Sequence, residues 1–82
     1  MATEILSIGS NNSAEFTVLS GTPVTLILRG AGNAAVKMKG SDDSFITIGQ
    51  LDASAPVQVL DVPGTFIVSR LNGADVEVDK EG

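Results

Sequence analysis

Eighty-two residues without cysteine or histidine have the length of one domain, and one that neither disulfides nor a histidine-bound metal can staple. The net charge of −5, from five Lys and Arg against ten Asp and Glu, speaks against nucleic acid and anionic membrane surfaces as direct partners. Hydrophobic residues make up 43% of the chain but aromatics only 4%, which leaves little ring area for ligand stacking.

Twenty-one of the 82 residues are Val, Ile or Thr, and no stretch keeps an apolar helical period for more than a turn or two. The pattern predicts strands in chain order. The first covers 3–8 and ends at Gly9-Ser10-Asn11-Asn12-Ser13. The second covers 14–19, with Phe16 and Val18 on one face, and closes at the turn Ser20-Gly21-Thr22. Pro23 can open the third, 24–29, where Val24, Leu26 and Leu28 alternate with Thr25, Ile27 and Arg29. This strand reads as central and buried on both sides. After Gly30-Ala31-Gly32-Asn33 comes 34–39, with Val36 and Met38 inward and Lys37 and Lys39 outward. Gly40-Ser41-Asp42-Asp43 turns into 44–51, which places Ile46 and Ile48 on one face. A connection over 52–56 leads to 57–61. Val62-Pro63-Gly64-Thr65 has the pattern of a type II turn before 66–71. Asn72-Gly73 signals a hairpin into 74–79.

Seven or eight short strands at spacings near ten residues predict a single all-β domain over 1–82, an antiparallel sandwich or small barrel with 80–82 as a polar tail. Phe16, Phe45 and Phe66 each sit in an apolar run and read as core plugs. Area scaling at 8.4 kDa gives a folded surface of roughly 4,600 Å² against about 12,200 Å² unfolded, so only about 62% is buried. A core that thin favours association with further copies or a larger assembly. The N-terminal Met1-Ala2-Thr3-Glu4-Ile5-Leu6 has no basic or apolar leader pattern, which argues against a signal peptide. No apolar run approaches the roughly 20 residues that span a bilayer. The sequon Asn11-Asn12-Ser13 therefore reads as turn chemistry.

Catalysis usually needs a base that titrates near neutrality, and His, Cys and Tyr are all missing. The outward Lys37 and Lys39 are poor members of a Ser–Lys pair. No enzymatic activity, catalytic residue, cofactor or metal site is expected. Gly30-Ala31-Gly32 lacks the third glycine and the following helix of a dinucleotide loop, and reads as a flexible hairpin loop. Asp42, Asp43 and Asp52 fall short of the six or more oxygens that calcium takes. Asp75, Glu77 and Asp79 share one strand face opposite Val76 and Val78. They offer three carboxylates to a cation or a basic partner, or protect an exposed sheet edge by repulsion, the reading preferred here.

The segment Val62-Pro63-Gly64-Thr65-Phe66-Ile67-Val68 resembles the turn-and-strand of many small β-sandwich modules. Together with Phe16-Thr17-Val18, Gly21-Thr22-Pro23-Val24-Thr25-Leu26 and Phe45-Ile46-Thr47-Ile48-Gly49, the order of parts is similar to small structural proteins of tailed bacteriophages. Those are capsid decoration, head-fibre or tail-associated proteins. Phe66 stands where the sandwich motif commonly has Tyr, which weakens an immunoglobulin-type assignment. The resemblance implies a virion component made in the bacterial cytoplasm, a homo-oligomer expected as a trimer, bound to a major capsid or tail protein. The alternative is a binding module for a host-cell glycan or protein, with Gly30–Asn33 and Gly40–Asp43 as its candidate loops. For a glycan it would have to work without the exposed Trp or Tyr that sugar-binding modules commonly use.

Overall fold

Successive side chains of a strand point to opposite faces, so Val24, Leu26 and Leu28 need one common apolar surface. The computed structural model, which describes residues 2–73 and 75–82, locates it between two sheets. Met1 and Ala74, the latter the predicted start of the eighth strand, lie outside the described residues. The described residues form eight strands and no helix: β1 (Thr3–Leu6), β2 (Phe16–Val18), β3 (Val24–Arg29), β4 (Asn33–Lys39), β5 (Phe45–Leu51), β6 (Val57–Leu60), β7 (Gly64–Asn72) and β8 (Glu77–Glu81). Every pairing is antiparallel. One sheet has the order β1-β8-β3-β6 and the other β2-β7-β4-β5. Each connection except β4–β5 crosses from one sheet to the other. This interleaving of two Greek keys is a jelly roll.

The inner faces meet in one core. Leu6, Val18, Leu26, Val36, Leu51, Phe66, Val68, Val76 and Val78 are fully buried there. The Phe66 ring stacks on the half-buried Phe16 of the neighbouring strand, with centroids 6.0 Å apart. Total accessible surface is 4529 Å², close to the value that scaling with mass gives. β3 is central, as expected, but buried on one side only: Thr25 and Ile27 are half-exposed on the outer face.

Several local expectations are corrected. The first strand stops at Leu6 because Ser10 N–H donates to the Ser7 carbonyl at 3.0 Å across a turn with Gly9 at φ +86°, which leaves Ile8 exposed. Phe45 is not a core plug. It pairs with the outward Lys39 and so shares the outer face, half-buried. Asn72-Gly73 makes no hairpin, since β7 and β8 belong to different sheets. Val62-Pro63-Gly64-Thr65 makes no type II turn, because Gly64 lacks the positive φ that turn requires and already belongs to β7. Residues 80 and 81 are no tail. Lys80 and Glu81 extend β8, where Leu26 and Thr25 pair with them, and the ladder outweighs their polarity. Lys80 lies on the inner side at the sheet's end and carries its ammonium out to the Gly82 carbonyl at 2.9 Å.

The strand directions create two poles. One gathers the turn after β1 and the β3–β4, β5–β6 and β7–β8 connections. The other holds the β2–β3, β4–β5 and β6–β7 connections and the end of β8.

Candidate interaction surfaces

β8 was expected to lie at an edge, and it does not. It pairs with β1 on one side and β3 on the other, so edge protection cannot explain its acids. Asp75 precedes the strand and is exposed, while Glu77, Asp79 and Glu81 alternate along the outer face. Cross-strand pairing then sets Arg29 opposite Glu77, and Glu4 opposite Asp79. The Arg29 guanidinium donates to Glu4 Oε2 at 3.0 Å and Asp79 Oδ1 at 2.9 Å, and lies 2.9 Å from Glu77 Oε2. A cation does sit among these carboxylates, and it is the protein's own.

Three carboxylates around one guanidinium leave an excess of negative charge. A hydrogen bond between Glu77 and Glu4 relieves part of it. That bond, with desolvation, raises the Glu77 pKa, and the same bond together with the Ser7 hydroxyl lowers that of Glu4. The hydrogen bond to Asp79 in turn raises the Arg29 pKa. The alternation of Glu77 and Asp79 was legible in sequence. Glu4 and Arg29 were missed; Arg29 alternates with apolar neighbours on β3, but Glu4 precedes a register shift between Glu4 and Leu6 that strict alternation does not reveal.

Asp42, Asp43 and Asp52 do not converge. Asp42 and Asp43 precede β5 and Asp52 follows it, so they occupy opposite poles. Asp42 Oδ1 accepts from the Ser44 hydroxyl at 2.6 Å and from Ser44 N–H at 3.2 Å. Asp52 Oδ1 accepts from the Ser54 hydroxyl at 2.8 Å and from the N–H groups of Ser54 and Ala55. Both carboxylates are turn acceptors, and these bonds lower both pKa values. Among the described residues no group of three or more His, Cys, Asp or Glu is arranged to hold a metal.

The two candidate binding loops are also apart. Gly30–Asn33 and Gly40–Asp43 flank β4 at opposite poles and cannot form one combining site. Nor is the first a flexible hairpin loop. It joins different sheets and packs backbone to backbone on the β7–β8 connection: a Cβ on Gly30 would lie 1.9 Å from the Asp75 carbonyl oxygen, and one on Gly32 2.0 Å from that of Asn72.

Asn11-Asn12-Ser13 does more than turn. Its backbone and side chains continue the partnership of β2 along β7. Ser13 N–H donates to the Val68 carbonyl at 2.8 Å, and Val68 N–H donates back to Ser13 Oγ at 2.9 Å. The Ser69 hydroxyl donates to Asn12 Oδ1 at 2.6 Å, and Arg70 N–H to the Asn11 carbonyl at 2.8 Å.

The remaining surface feature is apolar. Ile46 and Ile48 of β5, and Val57 and Val59 of β6, are each about half exposed. β5 and β6 are the outer strands of their sheets on the same side of the sandwich, joined by the Asp52–Ala55 turn. The cations are dispersed. Arg29 lies on the outer face of one sheet, Lys37 and Lys39 on that of the other, and Arg70 is held by Asn11 at 2.7 Å. No protein-family model, curated protein or solved structure matches this chain.

Proposed function

We propose that this chain is a non-enzymatic structural component of a bacteriophage virion, of the capsid decoration (cement) or head-fibre type, which oligomerises and attaches to the particle. The observation that carries the proposal is the strand order β1-β8-β3-β6 over β2-β7-β4-β5 in a chain this short. Jelly rolls recur in viral capsid domains, and this support is an analogy of architecture. Two further observations agree with it. His, Cys and Tyr, the usual sources of a base or nucleophile, are missing from the sequence. Aliphatic side chains stand in water along one side, as a surface awaiting a neighbour would. The proposed partners are further copies of the chain and a major capsid or tail protein, and the proposed location is the particle after synthesis in the bacterial cytoplasm.

Mass spectrometry of gradient-purified virions is the test. The protein should be present in a fixed ratio to the major capsid protein and should survive a high-salt wash. Its absence from particles whose host cells contain it refutes the proposal.

A further inference from the structure

An outer strand leaves a row of backbone N–H and C=O groups unpaired, and soluble proteins usually guard that row with charge, proline, a bulge or a covering segment. The two sides of this sandwich differ in such guards. On one side β1 carries Glu4, tied to Arg29, and the ladder of β2 is continued by Asn11–Ser13 with Glu15 next to it. On the other side neither β5 nor β6 contains a charged residue. β5 is interrupted by a bulge: Val36 pairs with Gly49 and Lys37 with Thr47, which leaves Ile48 as the extra residue. β6 has no such break: Val24 to Ile27 pair with Leu60 to Val57 in unbroken register, and its guards lie only at the ends, Pro56, whose carbonyl accepts from Leu28 N–H at 2.7 Å, and the exposed Asp61.

This side is also bridged between the sheets. Gln58 of β6 turns inward across the sandwich and lies on Gly49 of β5, with its Oε1 2.7 Å from where a Cβ would stand. The gap between the sheets is thereby filled by a polar side chain, flanked by exposed Val57 and Val59 and by Ile46 and Ile48.

We propose that a second copy of this chain docks on the β5–β6 side, by antiparallel pairing of β6 with the β6 of its partner. The inference rests on the reading that the chain self-associates. Charge on the strands does not oppose a second copy. Each copy carries −5, but neither β5 nor β6 contains a charged residue, and the acids nearest β6 are Asp52 and the exposed Asp61 beyond its two ends. The acidic cluster of Glu4, Glu77 and Asp79 lies beyond β3, where a basic partner would be drawn instead. Size agrees with a small specific contact. Seven residues of β5 at about 3.4 Å each span about 24 Å, and two sheets roughly 10 Å apart with side chains reaching about 5 Å beyond each make the side about 20 Å wide, a footprint of about 500 Å². The relief of the side chains brings this near the roughly 600 Å² per partner at the low end of specific interfaces. The pairing is isologous and closes at two copies, in place of the threefold assembly that the phage resemblance implied.

The lack of native cysteine makes the test direct. Single cysteines are placed at 57, 58, 59 and 60 in turn, with Thr17→Cys on the opposite side as control, and oxidised. Disulfide-linked dimer should form from at least one β6 variant and not from the control. In sedimentation at about 100 µM, above the micromolar dissociation constants that small interfaces often show, the wild type should run at twice 8.4 kDa. Val59→Lys, whose site is 57% exposed and outside the core, should run at 8.4 kDa and match the wild-type melting temperature once both are diluted to where the wild type is monomeric, and Thr17→Lys should remain dimeric. A wild type of monomer mass overturns the proposal, as does a dimer or trimer that survives Val59→Lys. A dimer through β6 that is absent from purified virions leaves this inference standing and removes the virion reading. A virion-bound protein that is monomeric in solution does the reverse.

Discussion

Replacing Gly32 by Ala tests whether the packed pole is as tight as the geometry indicates. Gly32 has φ +134°, a region that side-chain-bearing residues avoid. A Cβ there would stand 2.0 Å from the Asn72 carbonyl oxygen and 2.6 Å from Val76 Cγ2. An ordinary carbon–oxygen contact is about 3.3 Å, so the two connections must part by roughly 1.3 Å. Backbone strain costs about 1–3 kcal/mol. Parting also lifts the lid from Val76, which is fully buried and is worth about 1.5–3 kcal/mol in that state. The total, roughly 3–6 kcal/mol, is comparable with the whole stability of about 4–12 kcal/mol that a chain of this length supports. Gly64→Ala is the control. Its Cβ would clash only with Met38 Cε at 2.8 Å, the end of a flexible side chain, while the Phe66 ring stands at an ordinary contact distance of 3.6 Å, and it should cost less than about 1.5 kcal/mol. Urea unfolding followed by circular dichroism should show Gly32→Ala unfolded or shifted down by about 2 M or more, and Gly64→Ala shifted far less. Equal midpoints for the two variants would refute the argument.

Ser13→Ala removes the acceptor of the buried Val68 N–H and should cost about 1–3 kcal/mol in the same urea experiment, while Ser13→Thr, which keeps the hydroxyl, should restore most of it. An alanine variant as stable as the wild type would show that Asn11–Ser13 does not brace β7. The Glu77 pKa is raised on folding, so the stability it contributes is complete below its unfolded value and is lost as pH rises through the folded one. Glu77→Gln cannot lose that proton. Its melting temperature relative to wild type should therefore increase between about pH 4 and pH 7, and a difference independent of pH contradicts the raised Glu77 pKa.

The strands were legible because alternation and β-branched residues coincide. Val24–Arg29 matches its predicted bounds, and Val36 and Met38 face inward while Lys37 and Lys39 face out. Partnership was not legible, because a turn signal is local and does not say which sheet the chain enters next. Asn72-Gly73 has hairpin chemistry, yet its φ +97° glycine serves to pack against Ala31 and Gly32. The acidic cluster failed for the same reason. Glu77 and Asp79 could be placed on one face from their period, but their counter-ion is separated from Asp79 by 50 positions and meets it only through β3–β8 pairing. Lys80 and Glu81 misled through polarity, since a strand end between two neighbours is held by its backbone whatever its side chains.

The interleaved order of strands has a consequence for synthesis. The β4–β5 ladder can close early, but β2 waits for β7, β3 waits for β6, and β1 has no ladder until β8 arrives. A nascent chain emerging from the ribosome therefore carries its first strand without a partner until Glu77–Glu81 has emerged as well. Topologies of this kind fold slowly and as a unit, so a chain truncated before Glu77 should collect as aggregate or protease substrate rather than as a smaller domain.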